Sequence, residues 1–362
     1  RRRWPAELLV FRAATRGQLL EEMERSRRFL TRNARTELAR LAAACWQRAC
    51  RRLSDAHATG GADWLPTVAI VAGTATEAAE KLRQACMLVA QAEGSATNDA
   101  RLPPSEGHPG LSRRPAGRQG IYFAEERLLP DGKLAVLFPG QGVQQPGMFA
   151  ALAAVFPQLN DSLCQADRLL EGRCETPLYQ YVCDARRMKP EKRRRWAELF
   201  RRSELALPLT AAACLGMFRL LSWLGLKPDM LAGHSFGEHV ALCAAGAMSY
   251  DDLILLAYRR GVALTDAAAA CPGGMLAVAA DADTCRRLLA GCNDVAIANV
   301  NAPRQVVISG TEAALAEAQQ VFDANRIATE RLGVAGPFHC ALMSGARKAI
   351  ANSLQRCRIG NT

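Results

Sequence analysis

Ser235 sits within LAGHSFGEHVAL, residues 231–242, with Gly233 two positions before it and Gly237 two positions after. Glycine at both places allows a backbone approach that a Cβ would block. The run that opens at Pro228 reads as a strand, and VALCAAGAM after the serine reads as a helix. A strand that turns sharply into a helix at a serine is a nucleophile elbow, which lifts the hydroxyl clear of a sheet. This restricts the chain to folds in which strands feed helices, and it raises the question of which base serves Ser235.

The neighbouring patterns agree with such a fold. In KLAVLFPGQGVQQPGM, Leu134 to Phe138 read as a buried strand that PGQG ends abruptly. A long apolar helix runs from Glu204 to Leu224 and closes at Gly225, and DDLILLAYRRGVALTDAA forms another helix after the elbow. Strand, helix, strand, elbow and helix predict an α/β fold with a mostly parallel, hydrolase-like sheet and helices on its faces. From Cys271 the order changes. MLAVAA reads as strand, TCRRLLAG as helix, VAIANV and QVVISG as a hairpin, TEAALAEAQQVFDANR as helix and IATERLG as strand. That βαββαβ order is ferredoxin-like, and it is an insertion, because GVAGPFHCALM then returns to loop sequence that carries chemistry.

Upstream, ELLVF and TVAIVAG alternate with helical patterns to make a small α/β unit without a catalytic constellation. The expected organisation is therefore an α/β domain over residues 1–92 and a Gly/Pro-rich linker over 93–132. A large subdomain over 133–270 and 334–362 follows, with a ferredoxin-like small subdomain over 271–333.

Composition narrows the function. Hydrophobic content of 49% with 22% charged residues describes a globular protein and not a disordered one. No uncharged apolar run approaches membrane-spanning length, so no span is predicted. The start, RRRWPAELLVFRAAT, lacks the apolar core and cleavage site of a signal peptide. Thirteen cysteines fall singly, with no Cys-x-x-Cys pair and no histidine cluster, which argues against metal or a disulfide framework and for reduced thiols in a cytoplasmic setting. The net charge of +11 is concentrated: residues 1–60 hold 14 Arg against 6 acidic residues, and residues 186–202 read RRMKPEKRRRWAELFRR. These runs are either solvated helix faces or a surface that attracts acidic partners. No aromatic platform or DNA-binding motif accompanies them, so nucleic acid is not an expected partner.

A serine hydroxyl is a weak nucleophile until a base takes its proton, and the chain has five histidines. His57 lies in an unremarkable stretch and His108 in the linker, so both read as solvated. His239 is one turn into the elbow helix and suits packing or polar support. His234 precedes the nucleophile and should face away, although at an elbow it can still line a pocket. His339 stands 104 residues downstream of the serine in GPFHC. Serine followed much later by histidine is the order expected of nucleophile and base on this kind of sheet. For the oxyanion, the backbone N–H of Phe236 is one candidate donor, and the FPGQG loop offers that of Gln141 as the other.

Taken in order, FPGQGVQ, GHSFGE, an Arg-Gly pair, GGMLAV, NVNAPRQVVISG and GPFHCALM resemble the malonyl-CoA:acyl carrier protein acyltransferase family over residues 133–345. The closest resemblance is to the acyltransferase domains of type I polyketide synthases and of multienzymes like polyunsaturated fatty acid synthases. The first α/β unit is similar to the linker domain between ketosynthase and acyltransferase. The resemblance implies that Ser235 carries the acyl ester and that His339 acts as base and then acid. It also implies that the backbones of Gln141 and Phe236 hold the oxyanion. Arg260, in YRRGVAL, matches the arginine that pairs with the malonyl carboxylate, a task suited to its bidentate fork; Arg259 is its competitor. His234 and Phe338 would line the substrate. Phe338 matches the bulky residue of malonyl-type segments and would crowd a 2-methyl group, a discrimination of about 1–3 kcal/mol.

There are departures. Gly336 and Pro337 replace the first two positions of that segment, and Leu264 and Thr265 replace the usual Met-Gln. The stretch between Gln141 and Ser235 is lengthened, with the basic run at 186–202 as the insertion. The resemblance implies no bound cofactor and no metal. It implies malonyl-CoA as substrate, the phosphopantetheine of an acyl carrier protein as acceptor, and an adjacent ketosynthase. The acidic partner of the basic runs would then be the nucleotide-bearing thioester or the carrier protein. A further segment beyond Thr362 is expected to complete the large subdomain and to supply a carbonyl that orients His339. Two alternatives stay open. GHSFG also fits a serine hydrolase or thioesterase, with Asp251 or Asp252 completing a triad, and the chain can also be read as a non-catalytic docking fragment.

Overall fold

The computed structural model describes residues 5–33, 38–58, 64–91, 116–118, 120–125, 132–174, 176–182 and 189–361. The chain divides into two compact units, Arg1–Gly132 and Lys133–Thr362.

The first unit comprises β1 (Glu7–Arg12), α1 (Arg16–Arg32), α2 (Leu38–Ala58), β2 (Thr67–Ala72), α3 (Ala75–Gln91), β3 (Ala116–Arg118) and β4 (Ile121–Ala124). Its antiparallel sheet has the order β1-β2-β4-β3. Alternating residues Leu9, Phe11, Val68 and Ile70 point into a core shared with Leu19, Met23 and Leu82 of the helices, as period-2 strands and period-3.6 helices require. Thr15 caps α1 by accepting the Gln18 N–H. Strands β3 and β4 correct an expectation: they lie inside 93–132, which reads as linker from its Gly, Pro and Arg content. The hairpin escapes sequence reading because its strands are three and four residues long. Only Ile121 and Phe123 mark the buried face.

The second unit opens with β5 (Ala135–Phe138), α4 (Ala150–Ala153), α5 (Pro157–Leu169), α6 (Pro190–Leu199) and α7 (Ser203–Trp223). It continues with β6 (Met230–Gly233), α8 (Gly237–Ala244) and α9 (Tyr250–Ala270). β5 and β6 pair in parallel, with Phe138 opposite Gly233. Phe138, Leu207, Phe236, Val240, Leu253 and Leu256 belong to one core. α7 is long and apolar enough to cross a bilayer, and 67% of its most apolar window is buried within the protein. The expectation of a fully buried strand at Leu134–Phe138 is corrected. Phe138 is 4% exposed, but Leu137 is 73% and Leu134 43% exposed. Val136 and Phe138 pack on the helical core while the intervening residue faces outward, the alternation of a strand covered on one side.

Next come β7 (Gly273–Val278), α10 (Ala282–Leu288), β8 (Val295–Ala302), β9 (Gln305–Thr311), α11 (Glu312–Ala324) and β10 (Thr329–Arg331). They form an antiparallel sheet of order β10-β7-β9-β8 with its own core of Leu276, Ile308, Leu315 and Phe322. This is the expected βαββαβ insertion. Asp281 and Thr311 cap its helices. Strand β8 carries register shifts between Ile297 and Asn299 and between Val300 and Ala302. After β10 the chain returns through Phe338 and His339 to α12 (Arg347–Leu354). The described cysteines are free thiols, and no metal-holding cluster exists among the described residues.

Candidate active site

The elbow glycines have a steric cause that can be measured. A Cβ on Gly233 would lie 2.0 Å from the Gly237 carbonyl carbon, and one on Gly237 would lie 2.1 Å from the Phe138 oxygen. Strand β6, helix α8 and the end of β5 therefore pack backbone against backbone. The turn this creates holds Ser235 at φ 54°, a left-handed conformation that costs a non-glycine residue about 1–3 kcal/mol and clusters at functional sites. The Gly237 N–H donates to the His234 carbonyl at 2.9 Å, so α8 starts immediately beneath the serine.

His339 is also left-handed, at φ 62°. Its Nε2 lies 2.8 Å from Ser235 Oγ. Burial, then the Arg260 guanidinium and His234, push the imidazole below its ordinary pKa, with Glu238 opposing. A neutral imidazole hydrogen-bonded to a hydroxyl is the arrangement in which a serine proton can be accepted at neutral pH.

Ser235 and His339 open onto a cavity of about 160 Å³, which is also lined by Gln141, His234, Phe236, Arg260 and Phe338. All seven site residues expected from sequence thus meet at one place. Leu207, Leu264, Met275 and Val307 supply apolar wall. The Nε of Arg260 is buried without a hydrogen-bond partner. Burial pulls the pKa of Arg260 down, against the nearby Glu238 carboxylate. A guanidinium beside an apolar-walled cavity has the charge and the fork geometry that suit a carboxylate. Arg259 does not line the cavity.

The FPGQG loop is fixed from the side. Gln141 Oε1 accepts from Ser203 Oγ at 3.2 Å, and Gln144 Nε2 donates to the Phe200 carbonyl at 2.8 Å. Ser203, fully buried, starts α7. These bonds occupy the Gln141 side chain and leave its backbone unused. Neither the Gln141 nor the Phe236 N–H has a partner among the described residues, as donors awaiting an oxyanion require.

His234 bonds through Nε2 to Oδ1 of Asn301, at 3.1 Å. An amide oxygen only accepts, so the imidazole proton is on Nε2. His239 stacks on the Phe236 ring with centroids 5.8 Å apart, and burial holds its pKa down. Asn299, Asn301 and Ser203 are site residues that sequence reasoning missed. The two asparagines stand two apart in NVNA, as residues on one face of a strand do, and both line the cavity.

The hydrolase alternative needs a carboxylate on the base. Asp251 instead accepts from Gln165 at 2.7 Å, and Asp252, whose own N–H donates to Ser249 Oγ, accepts the Arg358 N–H at 3.4 Å. Among the described residues no acidic side chain hydrogen-bonds His339.

A strained serine on an elbow, a histidine returning after an inserted domain and a buried arginine in one cavity define an acyl-transfer class of fold and site. Residues 136–361 match the acyl transferase domain family, and the chain belongs to that family. It is 33% identical over 233 residues to the malonyl CoA-acyl carrier protein transacylase of Bacillus subtilis, covering 63% of this chain and 69% of that protein. It is 34% identical over 216 residues to the spectinabilin polyketide synthase system protein NorB of Streptomyces orinoci, covering 59% of this chain but 10% of NorB. Among solved structures, the acyl transferase domain of ZmaA superposes with a TM-score of 0.72 at 19% identity, over 99% of this chain and 71% of that one. FabD from Acinetobacter baumannii superposes with a TM-score of 0.55 at 31% identity, over 63% of this chain and 70% of that one.

Proposed function

We propose that the domain moves a malonyl group from CoA, through an ester on Ser235, to the phosphopantetheine thiol of an acyl carrier protein. The observation that carries this reading is the Ser235–His339 hydrogen bond on the cavity that Arg260 also lines. Ser235 Oγ attacks the thioester carbonyl while its proton passes to His339 Nε2. The oxyanion faces the N–H groups of Gln141 and Phe236. The intermediate collapses to the serine ester, and His339 returns the proton to the departing CoA sulfur. The acceptor thiol then repeats the sequence: His339 takes its proton, the sulfur attacks the ester, and Ser235 leaves with that proton restored. This is ping-pong chemistry.

Arg260 holds the distal malonyl carboxylate throughout, and Phe338 crowds a 2-methyl branch, which gives a preference for malonyl. The reaction needs no resident cofactor beyond the two thioester partners. The polyketide synthase relatives support a cytoplasmic multienzyme setting with an adjacent ketosynthase.

The test is incubation with labelled malonyl-CoA, peptide mass spectrometry for an ester on Ser235, and discharge of the label by a holo carrier protein. A folded chain that acquires no adduct refutes the reading.

A further inference from the structure

The basic run at 186–202 has no part in the chemistry above, yet the structure mounts its described part beside the site. From Lys189 to Arg202 there are seven basic residues and two acidic ones. Helix α6 buries only Trp196. That indole meets Tyr181 edge-on with centroids 4.9 Å apart, Phe200 packs on the same Tyr181 ring at 5.4 Å, and Lys192 lies over Trp196 at 4.8 Å. The helix is therefore clamped by aromatic packing on one side and presents its charge on the other. Arg194, Arg195 and Arg201 are exposed, and no acidic side chain pairs with them among the described residues. At its C-terminal end, the Phe200 carbonyl accepts from Gln144 and the Arg201 carbonyl from Gln141, at 2.8 and 3.5 Å. The strip of charge thus runs into the loop that lines the cavity.

We infer that this exposed face of α6, with Arg201, is the docking surface for the acidic carrier protein that brings the acceptor thiol to Ser235; the inference rests on the function proposed above. The choice of a protein over the nucleotide of CoA follows from shape. Ten helical residues spread the charge over about 15 Å of solvated surface. Arg194, Arg195 and Arg201 line no part of the cavity that holds Ser235 and His339. Carboxylates distributed over a partner's face match such a strip, and they steer encounter as well as orient it.

The experiment uses the full chain, malonyl-CoA as donor, and two acceptors: free pantetheine and a purified bacterial holo acyl carrier protein. In the double variant Arg194→Glu/Arg195→Glu, malonylation of Ser235 and transfer to pantetheine stay within about twofold of wild type. Transfer to the carrier loses about tenfold or more in kcat/KM, together with the salt dependence that wild type shows. Arg194→Lys/Arg195→Lys restores it. Binding of the carrier to a Ser235→Ala chain, which needs no acylation, weakens by the same factor when the charges are reversed. Undiminished transfer and binding in the double variant overturn the docking surface. An equal loss in malonylation from CoA also overturns it, by assigning the strip to the nucleotide. A wild-type chain that binds the carrier through this strip but takes up no malonyl overturns the proposed function instead.

Discussion

His234 Nε2 bonds to Asn301 Oδ1 at 3.1 Å, so the residue before the nucleophile is held by a strand of the inserted subdomain 67 residues away. The cavity wall and the elbow are thereby fixed to each other. Replacing Asn301 by Ala removes one exposed hydrogen bond, at most about 1 kcal/mol or roughly fivefold. The expected outcome is a loss of that size in kcat/KM for malonyl-CoA with little change in Tm. Steady-state kinetics beside thermal melts check it; a large fall in Tm would mean that the bond holds the fold and not the site.

Arg260→Ala separates transfer of a charged acyl group from transfer of an uncharged one. A charge-assisted hydrogen bond contributes about 1.5–3 kcal/mol, so malonylation is expected to fall about 10- to 100-fold or more. Acetylation from acetyl-CoA should persist or rise. Parallel loss with both donors would remove Arg260 from carboxylate recognition.

The depressed pKa of His339 has two consequences of known sign. Its folded value lies below the unfolded value of about 6.5. The unfolded chain therefore binds protons that the folded chain refuses as pH falls through that window, and stability drops there while staying flat above it. His239 is shifted the same way and adds to the drop. For catalysis, the neutral base persists below pH 6.5, so the acidic limb of Ser235 acylation lies under that value. In Arg260→Ala, assayed with acetyl-CoA, the limb moves upward because a neighbouring cation is gone. A limb at or above about 6.5 in the parent chain would contradict the burial seen here.

Gly261 follows Arg260 on α9 and touches the start of α7, where a Cβ would stand 2.3 Å from the Glu204 Cα. Thr265 adds a hydrogen bond to the Glu204 carboxylate at 2.5 Å. Gly261→Ala must push the two helices apart, an overpacking cost of about 1–3 kcal/mol. The expected signature is a lowered Tm together with a raised KM for malonyl-CoA, since the guanidinium moves with its helix. Unchanged melting would show that the helices accommodate the methyl group.

Much of this was legible in the sequence because the features are local or periodic. Gly233 and Gly237 announced the elbow, since no side chain fits where they stand. The βαββαβ insertion was readable because each of its helices and strands runs for six residues or more, apart from the three-residue β10. His339 followed from chain order. The Ser203–Gln141 bond and the contacts of the two asparagines were not legible, because they join segments that meet only in three dimensions. The β3–β4 hairpin was missed for a different reason. Its pattern is too short to rise above a background of glycine and proline, and β2 supplies the pairing that makes it a strand.

The 104 residues between nucleophile and base also set a clock during synthesis. At the usual pace of translation the serine leaves the ribosome roughly 5–20 s before the histidine. For that interval the histidine that Ser235 bonds in the folded domain is absent, and the inserted subdomain has yet to form.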